Sequence, residues 1–259
     1  MSREDRKARV LNDKIMSMTT SLKIKTFLSL CGILGPALIS LGGVIAGFSY
    51  IGIEGQAYNP LNHFVSELGE LGVSNGAWAF NAGLITGGIL NALFMIYLAA
   101  QIKHWARYPL GLLGFTASVF GGLVGIFPMN SLKEHLFVAL TFFNLGLAIA
   151  FLYSIFILVS NKHPFPKWLA LPGIINTITF AIFIFYPSDF DSGVDFQEGM
   201  AGLLRNRPDF IPLALLEWVV ILGILIWFLM LGFYLVNKAR NYTEENINKY
   251  SNLSDTKNI

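Results

Sequence analysis

The sequence predicts an all-α membrane protein, a six-transmembrane-helix bundle with a short amphipathic helix in the first outer loop. Three observations support this fold class. The 259 residues are 54% hydrophobic and only 13% charged, with a mean hydropathy of +0.58, whereas a soluble domain carries about 25% charged residues. The apolar residues form six long runs, and Lys and Arg lie almost entirely on one side of them.

Six continuous apolar runs mark the predicted helices in chain order. Each run approaches or exceeds the about 20 residues that cross a hydrocarbon core, and their continuity excludes the alternating pattern of a transmembrane β-barrel. They cover residues 27–53, 77–102, 110–127, 135–160, 168–186 and 213–236. We therefore expect a transmembrane domain over residues 25–237, between a basic tail at 1–24 and a polar tail at 238–259.

The distribution of Lys and Arg predicts the orientation. Fifteen of the eighteen fall in the two tails and in the second and fourth loops. The other three are Lys133, Arg205 and Arg207. The positive-inside rule then predicts a multi-pass protein of the plasma membrane with both termini cytoplasmic and the first loop outside.

The first outer loop, residues 58–72, contains helix signals and acidic residues together. Asn59 is a good N-cap and Pro60 suits the first helical position, which predicts a short helix. On that helix His63, Glu67 and Glu70 would share one face, and Ser66 would lie beside them. The opposite face would be apolar and would contain Phe64, Leu68 and Leu71.

The membrane runs contain small residues and asparagines. The Gly83/Gly87 pair and the Ala117/Gly121/Gly125 series have the spacing that permits close helix packing. Asparagine is costly in lipid unless it is hydrogen-bonded. We therefore expect Asn91, Asn144 and Asn176 to bond to neighbouring helices and Asn81 to face a polar pocket.

Two further polar groups are expected near the depth of His63. Pro128 ends the third run, and His135 begins the fourth. Glu217 lies about one turn inside the sixth run, where an acid is a candidate functional group; pairing with Arg205 or Arg207 is the alternative. The acidic loop at 187–212 is long enough to cover the outer face as a lid.

Short motifs in this order resemble a known family. They are Tyr58-Asn59-Pro60, His63, Ser66-Glu67-Leu68-Gly69, Phe80-Asn81, Gly125-Ile126-Phe127-Pro128 and His135. Over about residues 28–235 the chain resembles the prokaryotic membrane family known as domain of unknown function 998 (DUF998), with a looser likeness to DRAM-type membrane proteins. The resemblance implies a six-helix bundle and no established activity. His63, Ser66, Glu67, Asn81 and His135 match its motifs; Glu70 and Glu217 are added on geometric grounds alone.

Four functions remain open from the sequence. The preferred hypothesis is an outer-face polar pocket for a lipid headgroup or small polar ligand, lined by His63, Glu67, Asn81, His135 and Glu217. A metal-dependent membrane hydrolase is the second, with His63, Glu67 and His135 as zinc ligands and Glu70 or Glu217 as general base. A haem carrier using paired histidines and a purely structural subunit are the others. We expect no obligatory cofactor, the lipid bilayer as partner, and no nucleic acid.

Overall fold

The computed structural model describes residues 3–53, 55–186 and 207–255. In this part of the chain the architecture is all-helical, and one isolated antiparallel bridge joins Tyr50 to Ser74. The α-helices are α1 (Arg3–Ser49), α2 (Ala77–Ala100), α3 (Arg107–Val124), α4 (Leu132–Val159), α5 (Ala170–Ile184) and α6 (Pro212–Asp255). Short 3₁₀ turns cover Val65–Gly69, Met129–Ser131 and Lys167–Leu169.

The six α-helices form a ring in chain order. Each packs against its two sequence neighbours, and α6 closes the ring by packing on α1. The axes of packed neighbouring helices lie about 8–10 Å apart. In a regular ring of six, each axis is as far from the centre of the ring as it is from its neighbours. The centre is therefore filled only where long side chains point inward.

Within the described residues, five helical segments are long and apolar enough to cross a membrane. They are Met16–Ser49, Ala77–Ala100, Met129–Val159, Lys167–Ile184 and Pro212–Tyr242. The predicted third span, now α3, is not among them, because its 18 residues include Arg107, Tyr108 and Pro109 and are less apolar on average. The coarser prediction, an all-helical protein with several membrane-spanning helices, is confirmed.

The two terminal helices are longer than their apolar runs. α1 begins at Arg3 and α6 continues to Asp255, so the helices extend without a break through most of both predicted tails. Beyond the apolar runs the two helices still meet, since the Lys25 ammonium lies 5.7 Å from the centre of the Tyr242 ring.

Glycines set the closest helix contacts, as their spacing predicts. Modelling a Cβ onto Gly83 would bring it 2.7 Å from the carbonyl oxygen of Leu38, and a Cβ on Gly42 would lie 2.5 Å from that of Ala79. A Cβ on Gly88 of α2 would lie 2.6 Å from the Cα of Gly122 in α3. Backbone therefore meets backbone along both faces of α2.

Candidate functional site

The first loop lies at what we call the motif end of the ring, where α1 ends and α2 begins. The predicted amphipathic α-helix is wrong. Asn59 does open one turn, since its carbonyl accepts the N–H groups of Asn62 and His63 at 3.1 and 2.8 Å, but the chain becomes extended at Phe64 and only the 3₁₀ turn Val65–Gly69 follows. Side chains from α6 and the residues before it bind the loop backbone in place of helical bonds.

Glu67 forms an ion pair with Arg207. The contact is bidentate: Nη1 donates to Oε1 at 3.0 Å and Nη2 donates to Oε2 at 2.7 Å. Glu67 also accepts the N–H of Phe64 at 2.7 Å, as the third residue of a capped turn does. Arg207 donates in addition to the carbonyl of Asn62, so this pair fixes the shape of the loop. Pairing of Arg207 with Glu217, one of the alternatives left open by the sequence, is therefore not what forms.

His63 is buried between two tyrosine rings. The ring centres of Tyr50 and Tyr58 lie 5.3 and 5.1 Å from that of the imidazole. Its Nδ1 lies 2.8 Å from Oδ1 of Asn62, and its buried Nε2 has no hydrogen-bond partner. Burial lowers the pKa of His63; Glu67 opposes the shift and Arg207 adds to it. Burial likewise raises the pKa values of Tyr50 and Tyr58.

Two side chains of helix α6 form hydrogen bonds with the loop. The hydroxyl of Tyr58 donates to the carbonyl of Phe64 at 2.8 Å and accepts the indole N–H of Trp218 at 2.9 Å. One residue earlier in α6, Glu217 accepts the backbone N–H of Val65 at 2.7 Å. Glu217 therefore contacts loop backbone and makes no ion pair with Arg207; Arg205 lies outside the described residues.

The remaining predicted residues also hold the loop. Asn81 donates through Nδ2 to the carbonyl of Gly69 at 2.8 Å, and Ser66 donates to Sδ of Met129 at 3.3 Å. Glu70 is half-buried, and burial together with the nearby Glu67 raises its pKa. In addition, Asn130 exchanges two 2.8 Å hydrogen bonds with the backbone of Leu71, which joins the loop to the start of α4.

A cavity occupies the centre of the ring. Together with the open space that adjoins it, it contains about 1030 Å³ outside atoms. Its walls come from all six helices and are mainly apolar. Gly114, Ala117, Gly121, Ala139 and Gly146 of α3 and α4 line the space together with larger side chains such as Phe142 and Phe143. Met95 and Phe180 pack over Gly114 and Gly146, so these glycines admit side chains from α2 and α5.

Three of the predicted residues reach this cavity at the motif end: Ser66, His135 and Glu217. His135 is buried, and its Nδ1 lies 2.8 Å from the carbonyl oxygen of Phe127. His63, Glu67, Glu70 and Asn81 do not line the space. The residues predicted to line one pocket therefore fall into two groups. His63, Glu67, Glu70 and Asn81 belong to the polar contacts of the loop, and Ser66, His135 and Glu217 line the cavity beneath it.

Deeper in the cavity lie polar atoms without partners. Oδ1 of Asn91, Nδ2 of Asn176 and Nε1 of Trp227 are buried and accept or donate no hydrogen bond. The expectation that Asn91 and Asn176 bond to neighbouring helices is wrong for these atoms, and Asn144 bonds to Leu140 of its own helix. Buried polar atoms of this kind call for a missing partner such as water or ligand.

The chemistry open to these groups is limited by their present partners. Among the described residues no cluster of three His, Cys, Asp or Glu side chains could hold a metal ion. Ser66 bonds to a methionine sulfur and His135 to a backbone carbonyl, so the geometry contains no hydrogen-bonded relay from serine through histidine to Glu217. Of the acidic loop proposed as a lid, residues 187–206 lie outside the described residues.

Comparison with known proteins agrees with the motifs. A family model described as "Protein of unknown function (DUF998)" matches residues 33–234. No curated protein and no solved structure gives a significant match, and the looser likeness to DRAM-type proteins gains no support.

Proposed function

The chain belongs to the DUF998 family, and from the geometry of its cavity we propose that it binds an amphipathic molecule of the bilayer inside the helix ring. The observation that carries this proposal is one continuous, mainly apolar cavity with polar groups at its motif end. Glu217 and Trp227 both line it and are ten residues apart on α6, which corresponds to about 15 Å along the helix axis. An apolar tail fits such a space, and a polar head fits the end near Ser66, His135 and Glu217.

The proposal includes a topology. In this topology α3 also crosses the bilayer, which brings the number of spans to six. Both termini lie in the cytoplasm and the motif end lies outside, in agreement with the Lys and Arg distribution. At about 27 Å, α3 is close to the thickness of the hydrocarbon core. A molecule entering the cavity would then have its head at the outer leaflet.

The loop residues have a supporting part in this proposal. The Glu67–Arg207 pair and the Tyr58–Trp218 bond hold the loop backbone over the cavity, and Val65 and Ser66 of that loop line its end. The same contacts favour the structural hypothesis for His63 and Glu67. The metal-dependent hydrolase, by contrast, has no specific observation in its favour.

Native mass spectrometry of the detergent-purified protein tests the binding. Ala117 is buried and lines the cavity, so Ala117→Phe should fill the space and remove a one-to-one adduct that the wild type retains. Ala82 is exposed on α2, and Ala82→Phe adds the same ring on the outside and should keep the adduct. Ala139→Phe is a second filling variant in case the first does not fold. Equal adducts in all variants, or none in the wild type, would refute the proposal.

A further inference from the structure

The polar side chains at the motif end of the cavity limit the chemistry of the ligand's polar head. Resting on the proposed binding function, we infer that this head is a hydrogen-bond donor without negative charge, namely a hydroxyl or an amine. The inference comes from the hydrogen-bonding capacity that remains on Ser66, His135 and Glu217 after their protein partners are counted, and from the charges that line the cavity.

His135 presents an acceptor. The partner of its Nδ1, 2.8 Å away, is the carbonyl oxygen of Phe127, which can only accept. Nδ1 must therefore carry the proton, and the Nε2 of a neutral imidazole is then an unprotonated acceptor. Because the His135 imidazole lines the cavity, a hydrogen-bond donor on the ligand can reach this Nε2 atom.

Ser66 and Glu217 also present acceptors. The single hydroxyl proton of Ser66 is directed at Sδ of Met129, so the lone pairs of its oxygen remain for a ligand. Oε2 of Glu217 accepts the N–H of Val65 at 2.7 Å, and lone pairs remain on the oxygens of its carboxyl group. The three side chains together can accept several hydrogen bonds from a ligand.

No positive side chain is available for an anionic head. Neither Lys nor Arg is among the described residues that line the cavity. Arg207 of the motif-end loop contacts binds Glu67 and the carbonyl of Asn62 and does not line the cavity. A phosphate or sulfate entering here would lose its hydration without a counter-charge, which is costly at membrane depth.

Four probes with one common chain test the head chemistry. Oleyl alcohol, oleylamine, oleyl phosphate and oleyl sulfate are titrated against the purified full-length protein, and competition is followed by native mass spectrometry at neutral pH. We expect the alcohol and the amine to bind at least about tenfold more tightly than the two anions, a difference of about 1.4 kcal/mol. Ala117→Phe should abolish binding of all probes and so defines the non-specific background.

Two acid variants separate the contribution of Glu217. Glu217→Gln should weaken oleylamine more than oleyl alcohol, because a protonated amine can form an ion pair with a carboxyl group at this position and cannot do so with an amide. Glu134 is exposed, one residue before His135, and Glu134→Gln should leave all four affinities unchanged. If the anions bind as tightly as the alcohol, the inference is wrong while the cavity proposal stands. If no probe binds above background, the cavity proposal fails with it.

Discussion

At the scale of single residues, the loop depends most on the Glu67–Arg207 pair. Both side chains are largely withdrawn from solvent, at 2% and 13% exposure, and the bidentate geometry satisfies both carboxylate oxygens. Removing one partner of a buried pair leaves an uncompensated charge and costs about 3–5 kcal/mol. We expect Glu67→Gln to reduce the free energy of unfolding by about 3 kcal/mol, measured by thermal unfolding in detergent.

A double-mutant cycle isolates this interaction. Arg207→Gln alone should also destabilise the protein, whereas Glu67→Gln with Arg207→Gln should cost less than the sum of the two single changes. Glu70 is half-buried but has no part in the ion pair, so Glu70→Gln provides the matched carboxylate control. Additive effects of the two single changes would show that the pair does not stabilise the loop.

At this scale the sequence indicates the depth of a residue where its position in a helix decides it. His135 and Glu217 both line the cavity, and each lies within about a turn or two of its helix start. The pairing of Arg207 with Glu67 is not indicated by the sequence, because it joins positions 140 residues apart. No local sequence pattern indicates a contact between positions so far apart in the chain.

At the scale of elements, the helices follow from their apolar runs, but the first loop does not follow from its own sequence. Asn59 and Pro60 are true helix-start signals, and they give one turn. Beyond it, the loop carbonyls and N–H groups bond to Tyr58, Glu67 and Glu217. Those tertiary bonds replace the helical ones, so the helical face expected for His63, Glu67 and Glu70 does not form.

The contact of α1 with α2 gives an element-scale prediction. A Cβ on Gly42 would lie 2.5 Å from the backbone oxygen of Ala79, whereas a Cβ on Gly47 would meet only a methyl of Leu68 at 3.9 Å. Gly42→Ala should therefore push the two helices apart and lower stability by about 1–3 kcal/mol, as overpacking does. Gly47→Ala should change stability little. Thermal unfolding of the two variants side by side distinguishes them, and equal stability would contradict the close contact.

At the scale of the whole molecule, the closed ring explains why distant residues meet at one cavity. Neighbouring helices run in opposite directions, so the ends of α1, α3 and α5 and the starts of α2, α4 and α6 gather at the motif end. The sequence predicts this gathering once the spans are known. It does not predict the cavity, because a sequence pattern does not show how far the side chains of six helices reach toward one another; the Phe180 ring, for example, packs over Gly146.

The ring also requires α3 to run the full length of the bundle. Leu71, before α2, and Asn130, before α4, exchange two hydrogen bonds, so the chain must return to the motif end between them, and α3 is the return path. If α2 crosses the bilayer, α3 must cross it too. The proposed count of six spans rests on this argument, because α3 is not among the five helical segments that are apolar enough by composition alone.

Thiol labelling of intact cells tests this topology. In a Cys31→Ser background, which removes the single native cysteine, one cysteine is placed at each of four exposed positions: Leu61, Trp105, Lys133 and Lys162. With six spans and the motif end outside, a membrane-impermeant maleimide should label Leu61→Cys and Lys133→Cys, and should reach Trp105→Cys and Lys162→Cys only after permeabilisation. If α3 did not cross, Lys133→Cys would behave like Trp105→Cys instead. That result would separate Asn130 from Leu71 across the bilayer, and the ring, its central cavity and the proposed ligand site could not exist.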